Sequence, residues 1–149
     1  MKSFKQFHNY LTENRYRSMT FYHGTNSDFD EFDPSMMGRT DPGFVGAGFY
    51  LTAIEGLARG YAQGSADIHG GEPVVLKFKV SPKKTLELDG TGVSEWNRAL
   101  KEIGINTTLR PEEASKELQK LGYDSIAAWH RGSVKEFVVL DPRIAKRIK

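Results

Sequence analysis

The chain has 149 residues, a formal net charge of +2 and no cysteine. This length suffices for one domain with a substantial hydrophobic core, and the lack of cysteine excludes disulfides and cysteine-ligated metals within it. Apolar residues make up 38% of the sequence, yet no apolar run approaches the roughly 18–20 residues of a membrane-spanning helix. The nearly balanced charge is weak evidence for an anionic partner and does not by itself indicate nucleic-acid binding. We expect one globular domain, compatible with a reducing cytoplasm, and no membrane partner.

Residues 1–18 differ from the rest of the chain. Phe4, Phe7 and Leu11 follow the i, i+3, i+7 spacing of a short amphipathic helix. The continuous apolar stretch of a secretory signal is missing, so export is not indicated. We therefore divide the chain into an N-terminal amphipathic segment, residues 1–18, and a domain, residues 19–149. The simplest interpretation of the segment is a terminal helix that is frayed or docked on the domain.

The sequence of residues 19–149 predicts strands and helices in an α+β arrangement. In its first half, residues 19–22 predict a strand, residues 26–42 predict turns and loops, and a glycine-rich turn at 43–48 leads into a short strand and a short helix. The second half predicts a loop at 64–73 and strands at 74–80 and 86–88, followed by two helices that end at Gly104 and Gly122. It then predicts strands at 125–129 and 136–140, separated by a loop. We interpret the basic tail as a solvated helix end.

The glycine-rich turn is a candidate ligand site. Tyr50 lies in the strand after it and Tyr61 on the following helix, so both side chains are expected near the point where the glycines expose the backbone. Two tyrosines beside a bare backbone suit a flat aromatic ligand. The alternative is structural, because tyrosines and glycines also build the core of a small α+β domain.

Three places along the chain together resemble one enzyme family. They are His23-Gly24-Thr25 after a strand, Gly46-x-Gly48-Phe-Tyr50 at the head of a strand, and Glu136-Phe-Val-Val-Leu-Asp141. In this order they resemble the His–Tyr–Glu pattern of ADP-ribosyltransferases of the poly(ADP-ribose) polymerase and diphtheria-toxin type, above all the small versions in phage polyvalent proteins and bacterial toxins. The resemblance covers residues 19–142. It implies an ADP-ribosyltransferase-like α+β fold, in which two small packed antiparallel or mixed sheets with short flanking helices surround an NAD cleft.

The resemblance also assigns roles in splitting the nicotinamide–ribose bond of NAD, a reaction with an oxocarbenium-like transition state. Glu136, His23 and Tyr50 are the implied catalytic set, with Glu136 binding the ribose 2′-hydroxyl, stabilising the cation and positioning the acceptor. Tyr50 and Tyr61 would sandwich the cationic nicotinamide ring. The other implied NAD contacts are Gly24 to the carboxamide, His23 with Thr25 to the adenine-side ribose, Gly48 beside Tyr50, and Arg39 to the diphosphate or adenine.

Each of these residues also has an ordinary structural interpretation, such as a core tyrosine, a satisfied histidine or an exposed loop arginine. Ala58 stands where the family often carries Ser or Thr, which removes one hydroxyl from the nicotinamide site. Val134 stands two residues before Glu136, where arginine-specific toxins carry a second glutamate, so arginine modification by that mechanism is disfavoured. No histidine has a partner at metal-ligand spacing, so we expect NAD as cosubstrate and no metal.

The N-terminal segment carries a second resemblance. Met1-Lys-Ser-Phe-Lys-Gln-Phe7 is similar to the capsid-targeting peptide of internal head proteins in T4-like bacteriophages, and Leu11-Thr12-Glu13 is similar to the site after which their prohead protease cuts. This implies a protein packaged in the virion interior and delivered to the host cytoplasm.

The sequence therefore predicts a monomeric, NAD-dependent mono-ADP-ribosyltransferase that modifies a host macromolecule. The acceptor is a host protein or nucleic acid, and Trp129 and Arg131, just before Glu136, are candidates for recognising it. Two alternatives stay open: an NAD glycohydrolase that uses water as acceptor, and a binding module that has lost turnover.

Overall fold

The computed structural model describes residues 15–33 and 46–149. Its elements are β1 (Phe21–Thr25), β2 (Phe49–Leu51), α1 (Glu55–His69), β3 (Val74–Val80), β4 (Thr85–Leu88), α2 (Val93–Glu102), α3 (Pro111–Lys120), β5 (Ser125–His130), β6 (Ser133–Val139), a 3-10 turn at Pro142–Ile144, and β7 (Ala145–Ile148). They form a three-stranded sheet of order β1-β3-β7 and a four-stranded sheet of order β2-β6-β5-β4. The predicted α+β class with two small sheets is confirmed.

The three-stranded sheet is antiparallel, whereas the four-stranded sheet is mixed because β4 runs parallel to β5. In β3, Leu76, Phe78 and Val80 are buried while Lys77 and Lys79 are exposed. This alternation gives the sheet one apolar face. That face packs on the four-stranded sheet and forms the first core, to which the two sheets contribute, among others, Phe21, Phe78, Leu51, Phe137 and Val139.

A second core lies on the opposite face of the four-stranded sheet. Helices α2 and α3 cover it there, burying Trp96, Leu100 and Leu118 against the strands. Helix α3 begins with Pro111 at its first position, where the missing N–H costs no helical hydrogen bond.

The two sheets meet at β1 and β2. Tyr22 and Thr52 exchange two backbone hydrogen bonds, with N···O distances of 2.8 and 2.9 Å. The strands therefore lie side by side in the order β7, β3, β1, β2 and β6. Strands β1 and β2 separate on either side of the Tyr22–Thr52 bridge.

The structure corrects three sequence interpretations. Helix α1 continues to His69 through the predicted loop, since Gly64 weakens a helix without ending it. The predicted loop before Glu136 is a two-residue turn at Arg131-Gly132, both with positive φ, as a tight hairpin requires. The basic tail is the strand β7 rather than a helix end, because it pairs with β3.

The structure describes only residues 15–18 of the N-terminal segment. Phe4, Phe7 and Leu11, together with the capsid-targeting resemblance and its cleavage site, lie outside the described residues. Residues 15–18 are helical, and the fully buried Tyr16 belongs to the first core. In the described part of the chain, no helix is long and apolar enough to cross a membrane.

Candidate active site

Strand register brings Glu136 to the junction of the two sheets. Leu51 pairs with Phe137, so the same register continued by one residue places Thr52 beside Glu136. Phe21, Leu51 and Phe137 all point into the first core. Because successive side chains alternate between faces, Tyr22, Thr52 and Glu136 lie on the opposite face of the joined sheets, which we call the outer face. The second core lies on the same side, where α2 and α3 cover neighbouring parts of the four-stranded sheet.

Tyr50 lies on this outer face next to Glu136. It pairs with Val138, two residues beyond Glu136 on β6, and such diagonal neighbours are separated by about 7–8 Å. The Tyr50 hydroxyl donates a hydrogen bond to the Gly46 carbonyl oxygen at 2.6 Å, which holds the ring back against the glycine turn. Tyr50 and Glu136 thus form two neighbouring polar groups on one surface.

Gly24 lies on the same outer face, where helix α1 crosses β1. A Cβ added to Gly24 would lie 2.0 Å from the Ala58 carbonyl oxygen and 2.7 Å from the Ala62 nitrogen, so only glycine allows this approach. Tyr22 directs its N–H and C=O away from β3, towards Thr52. Because the hydrogen-bonding direction repeats every second residue, Gly24 also directs its N–H and C=O away from β3, into the split between β1 and β2.

Tyr61 projects from α1, the helix that covers Gly24. It adjoins the buried Ala62, and its side chain is 53% exposed. Gly48 has a different environment, since an added Cβ would lie 2.6 Å from the Val138 Cγ1 atom and 2.7 Å from the Val139 carbonyl oxygen. Close packing on β6 therefore explains the absence of a side chain at Gly48, whose predicted NAD contact stays a prediction.

His23 lies on the opposite face of β1, towards the first core. Its ring makes edge contacts with Phe29 and Phe32, with centroid distances of 5.6 and 5.3 Å. The Nδ1 atom lies 2.8 Å from the Tyr50 carbonyl oxygen, across the split between the sheets. Since a carbonyl only accepts, Nδ1 carries the proton, and Nε2 of the neutral ring is an acceptor. Burial lowers the pKa of His23 below its usual 6.5, against a smaller opposite effect of the Tyr50 hydrogen bond, so the ring is neutral at pH 7.

A β-bulge lies immediately before Glu136. Ala128 pairs with Glu136 but Trp129 pairs with Val134, so Lys135 is the extra residue on β6. In a regular strand Val134 and Glu136, which are two residues apart, would point to the same face. With the bulge, Val134 is buried in the first core while Glu136 faces outward. Glu136 is half-buried, and its Oε2 atom is shielded from solvent.

The two residues predicted to recognise the acceptor have different surroundings. The Trp129 Nε1–H donates to the Tyr16 hydroxyl at 3.1 Å, and the Arg15 guanidinium lies 4.7 Å from the centre of the indole ring. Arg131 is exposed at the hairpin tip with a φ of 50°.

Thr25 ends β1 and accepts a hydrogen bond from the Ser27 N–H at 3.4 Å. Arg39 lies outside the described residues.

Ser115 supports the site although nothing in the sequence singles it out. It lies in the middle of α3, is 2% exposed, and its Oγ atom accepts a hydrogen bond from the Ala47 N–H at 2.9 Å. Gly46, with a φ of 76°, packs against the same Oγ atom. Helix α3 therefore fixes the turn that leads into Tyr50.

Arg147 is a second support that sequence reasoning missed. From β7 its Nη1 atom donates to the Phe29 carbonyl oxygen at 2.9 Å and pairs with Asp28 and Asp30. This arginine is only 19% exposed and holds the segment whose Phe29 ring contacts His23.

Comparison with known protein families identifies a match. The family of ADP-ribosyltransferases in polyvalent proteins matches residues 15–149, nearly the whole chain. The chain belongs to this family. Its domain is therefore an ADP-ribosyltransferase domain, and such domains transfer ADP-ribose with NAD as cosubstrate. No curated protein matches the sequence. Among the described residues there is no group of three or more acidic or histidine side chains able to hold a metal ion.

Proposed function

We propose that the protein is an NAD-dependent mono-ADP-ribosyltransferase whose active site is the outer face at the junction of β1, β2 and β6. The observation that supports this most strongly is the register that places Tyr50 and Glu136 on one face with Gly24. These are three of the positions that the His–Tyr–Glu resemblance assigns to NAD.

Each residue has a role that its geometry suits. The Gly24 N–H and C=O, directed into the split between the sheets, would bind the nicotinamide carboxamide, whose carbonyl oxygen accepts and whose NH2 group donates. Tyr50, and Tyr61 from α1, would enclose the cationic ring. The carboxylate of Glu136 would lie beside the developing positive charge. His23 lies on the opposite face of β1, so its implied contact with the adenine-side ribose stays a prediction.

The reaction breaks the bond between the nicotinamide nitrogen and C1′ of the ribose. Nicotinamide leaves with the bonding electron pair, and an acceptor nucleophile forms the new bond to C1′ and loses its proton. Glu136 has two tasks in this step: it stabilises the positive charge on the ribose and orients the nucleophile. The shielded position of Oε2 strengthens the electrostatic effect, because less water surrounds it.

Labelled NAD tests this proposal. Mixing the full chain with NAD labelled in the adenylate part and with a bacterial lysate should transfer label to a macromolecule and release nicotinamide. Glu136→Gln should abolish both, whereas Glu102→Gln, at an exposed carboxylate on α2, is the matched control and should retain them. Transfer by Glu136→Gln at the wild-type rate would refute the catalytic assignment.

The same experiment separates the two alternatives. Nicotinamide release without lysate, and with no label transferred when lysate is added, would show an NAD glycohydrolase. Thermal stabilisation by NAD with no nicotinamide released would show a binding module. Either outcome would overturn the transferase proposal.

We further propose that a phage packages the protein and delivers it to a bacterial host, where it acts as a monomer on a host protein or nucleic acid. The resemblance of residues 1–13 to a capsid-targeting peptide supports this. Mass spectrometry of the protein from purified virions should find a chain that begins at Asn14. Only full-length protein, or none in virions, would contradict the proposal.

A further inference from the structure

The outer face of the three-stranded sheet carries lysines that oppose one another. Lys77 and Lys79 are exposed on β3, and Lys79 pairs directly with the exposed Lys146 on β7. Like charges directly opposite each other on neighbouring strands destabilise a sheet. The Lys79 Nζ atom donates to the Met19 carbonyl oxygen at 3.1 Å, an uncharged partner that leaves the positive charge in place. The sheet therefore carries a concentration of positive charge here that its cross-strand pairing does not favour.

An aromatic and an aliphatic side chain complete this surface. Lys77 pairs with Tyr22 on β1 and with Ile148 on β7, and Ile148 is 37% exposed. We call Lys77, Lys79, Lys146, Tyr22 and Ile148 the basic face. None of its five members is acidic, and helix α1 packs on the neighbouring part of the sheet, at Gly24, leaving the three lysines exposed.

The basic face lies in the same row of paired residues as the candidate active site, with the buried Thr52 between them. Lys77 pairs with Tyr22, Tyr22 pairs with Thr52, and the β2–β6 register places Thr52 beside Glu136. The side chains of directly paired residues point to the same face of a sheet, so the side chains of Lys77 and Glu136 lie on one face. We call the line of partners Lys77, Tyr22, Thr52 and Glu136 the row. Three strand spacings of 4.7–4.9 Å separate the backbones of Lys77 and Glu136, which is about 14–15 Å.

We propose that the acceptor of ADP-ribose is a single-stranded nucleic acid bound along this row. The inference rests on the proposed transferase function and names its substrate class. Lys77 would contact a phosphate within the row, and Lys79 with its partner Lys146, about 6.6–6.8 Å away along the strands, would contact the neighbouring phosphate where the nucleic acid enters the row. Tyr22 offers a face on which a base can stack, the arrangement that single-strand binding surfaces use.

In this arrangement, a nucleotide a few positions along the nucleic acid from the one bound at Lys77 would lie at Glu136. There the nucleotide's nucleophilic oxygen or nitrogen would form the bond to C1′ as the bond to nicotinamide breaks, and any proton on that atom would be released. An acidic protein would also be attracted to the lysines, whereas a single-stranded nucleic acid matches both the lysines, with its phosphates, and Tyr22, with a stacked base. The row favours the nucleic acid.

Binding of a fluorescent oligonucleotide tests the inference. The probes are labelled single-stranded DNA and RNA of about 12 nucleotides, within the usual site size of such proteins, and anisotropy is measured at several salt concentrations. Wild type should bind at least one probe. The double variant Lys77→Ala/Lys146→Ala should bind more weakly, with the slope of log affinity against log salt reduced by about 1.4, or about 0.7 for each lost phosphate contact.

Two further variants sharpen the test. Tyr22→Leu should weaken binding at least about fivefold through the lost stacking. Lys101→Ala/Lys116→Ala removes two exposed lysines on α2 and α3 and should bind like wild type with an unchanged slope. Thermal melting confirms that each variant is folded before its affinity is compared.

Three results would overturn the inference: no binding of either probe by wild type, an unchanged slope in Lys77→Ala/Lys146→Ala, or stronger binding to a polyglutamate peptide than to the oligonucleotides. Failure of the inference is distinguishable from failure of the proposed function. If wild type releases nicotinamide from NAD but labels only protein in the lysate, the inference alone fails. If it binds the oligonucleotide but never releases nicotinamide, the transferase proposal fails.

Discussion

Replacing Gly24 with alanine tests the closest backbone contact at the candidate site. The new Cβ atom would lie 2.0 Å from the Ala58 carbonyl oxygen, so α1 must retreat by about 1 Å before the contact is tolerable. Overpacking of this kind costs about 1–3 kcal/mol. For a chain of this size each kcal/mol lowers Tm by about 2–4 °C, so Gly24→Ala should lower Tm by about 2–12 °C.

The same substitution should impair activity beyond its effect on stability. Gly24 is proposed to bind the carboxamide, and the displaced helix carries Tyr61, so nicotinamide release should fall even at a temperature where the variant is fully folded. Thermal melting and nicotinamide release on the same preparation measure both effects. Gly60→Ala is the matched control: nothing lies within 4 Å of its added Cβ, and alanine in a helix interior should raise stability by about 0.5–1 kcal/mol. A Gly24→Ala protein with wild-type Tm and activity would refute the geometry.

Three other predictions follow from single contacts. Burial lowers the folded-state pKa of His23 below 6.5, so the unfolded chain binds the proton more readily and the free energy of unfolding should fall as pH drops below about 6.5. Denaturant titration at several pH values should show a shallower fall for His23→Gln than for wild type. Parallel curves of unfolding free energy against pH for the two proteins would contradict this. Ser115→Ala removes the acceptor of the buried Ala47 N–H and should cost about 1–3 kcal/mol in the same assay; no loss would contradict it. Deleting Lys135 should leave Glu136 opposite Ala128 and facing outward, because Val134 and Glu136 then become consecutive residues on opposite faces; nicotinamide release should persist in the folded deletion variant and in Lys135→Ala, and its loss in the folded deletion variant would contradict the assigned register.

Local patterns in the sequence predict much of the fold. The alternation of lysines and apolar residues at 74–80 predicts β3, and the helical spacing before Gly104 and Gly122 predicts α2 and α3. These features are local, so a window of a few residues carries them. The resemblance of three separate motifs adds the family, which the match over residues 15–149 supports.

Features set by pairing between distant segments could not be predicted in this way. The last strand, Ala145–Ile148, is four residues long, and only its pairing with β3 makes it a strand rather than a tail. The bulge at Lys135 has no sequence signature, because it exists only relative to β5. Tyr16 enters the core from a segment whose composition suggests a separate unit.

The candidate site shows the same division. Sequence identifies Gly24, Tyr50 and Glu136 as interesting, but it cannot show that Gly24 lies against the backbone of α1 or that the other two share a face. It also misses Ser115, since a serine inside a helix is ordinary until its partner is known. The sequence identified the residues that we propose to act on NAD and missed Ser115 and Arg147, which hold the neighbouring segments in place.

A crystal structure of the protein with a non-hydrolysable NAD analogue would test the central claim most directly. The account predicts that the carboxamide of the nicotinamide ring contacts the Gly24 N–H and C=O, that the ring lies against Tyr50, and that the adjacent ribose 2′-hydroxyl is within about 2.6–3.2 Å of a Glu136 carboxylate oxygen. An analogue bound away from the junction of β1, β2 and β6, with Glu136 touching no part of it, would contradict the account.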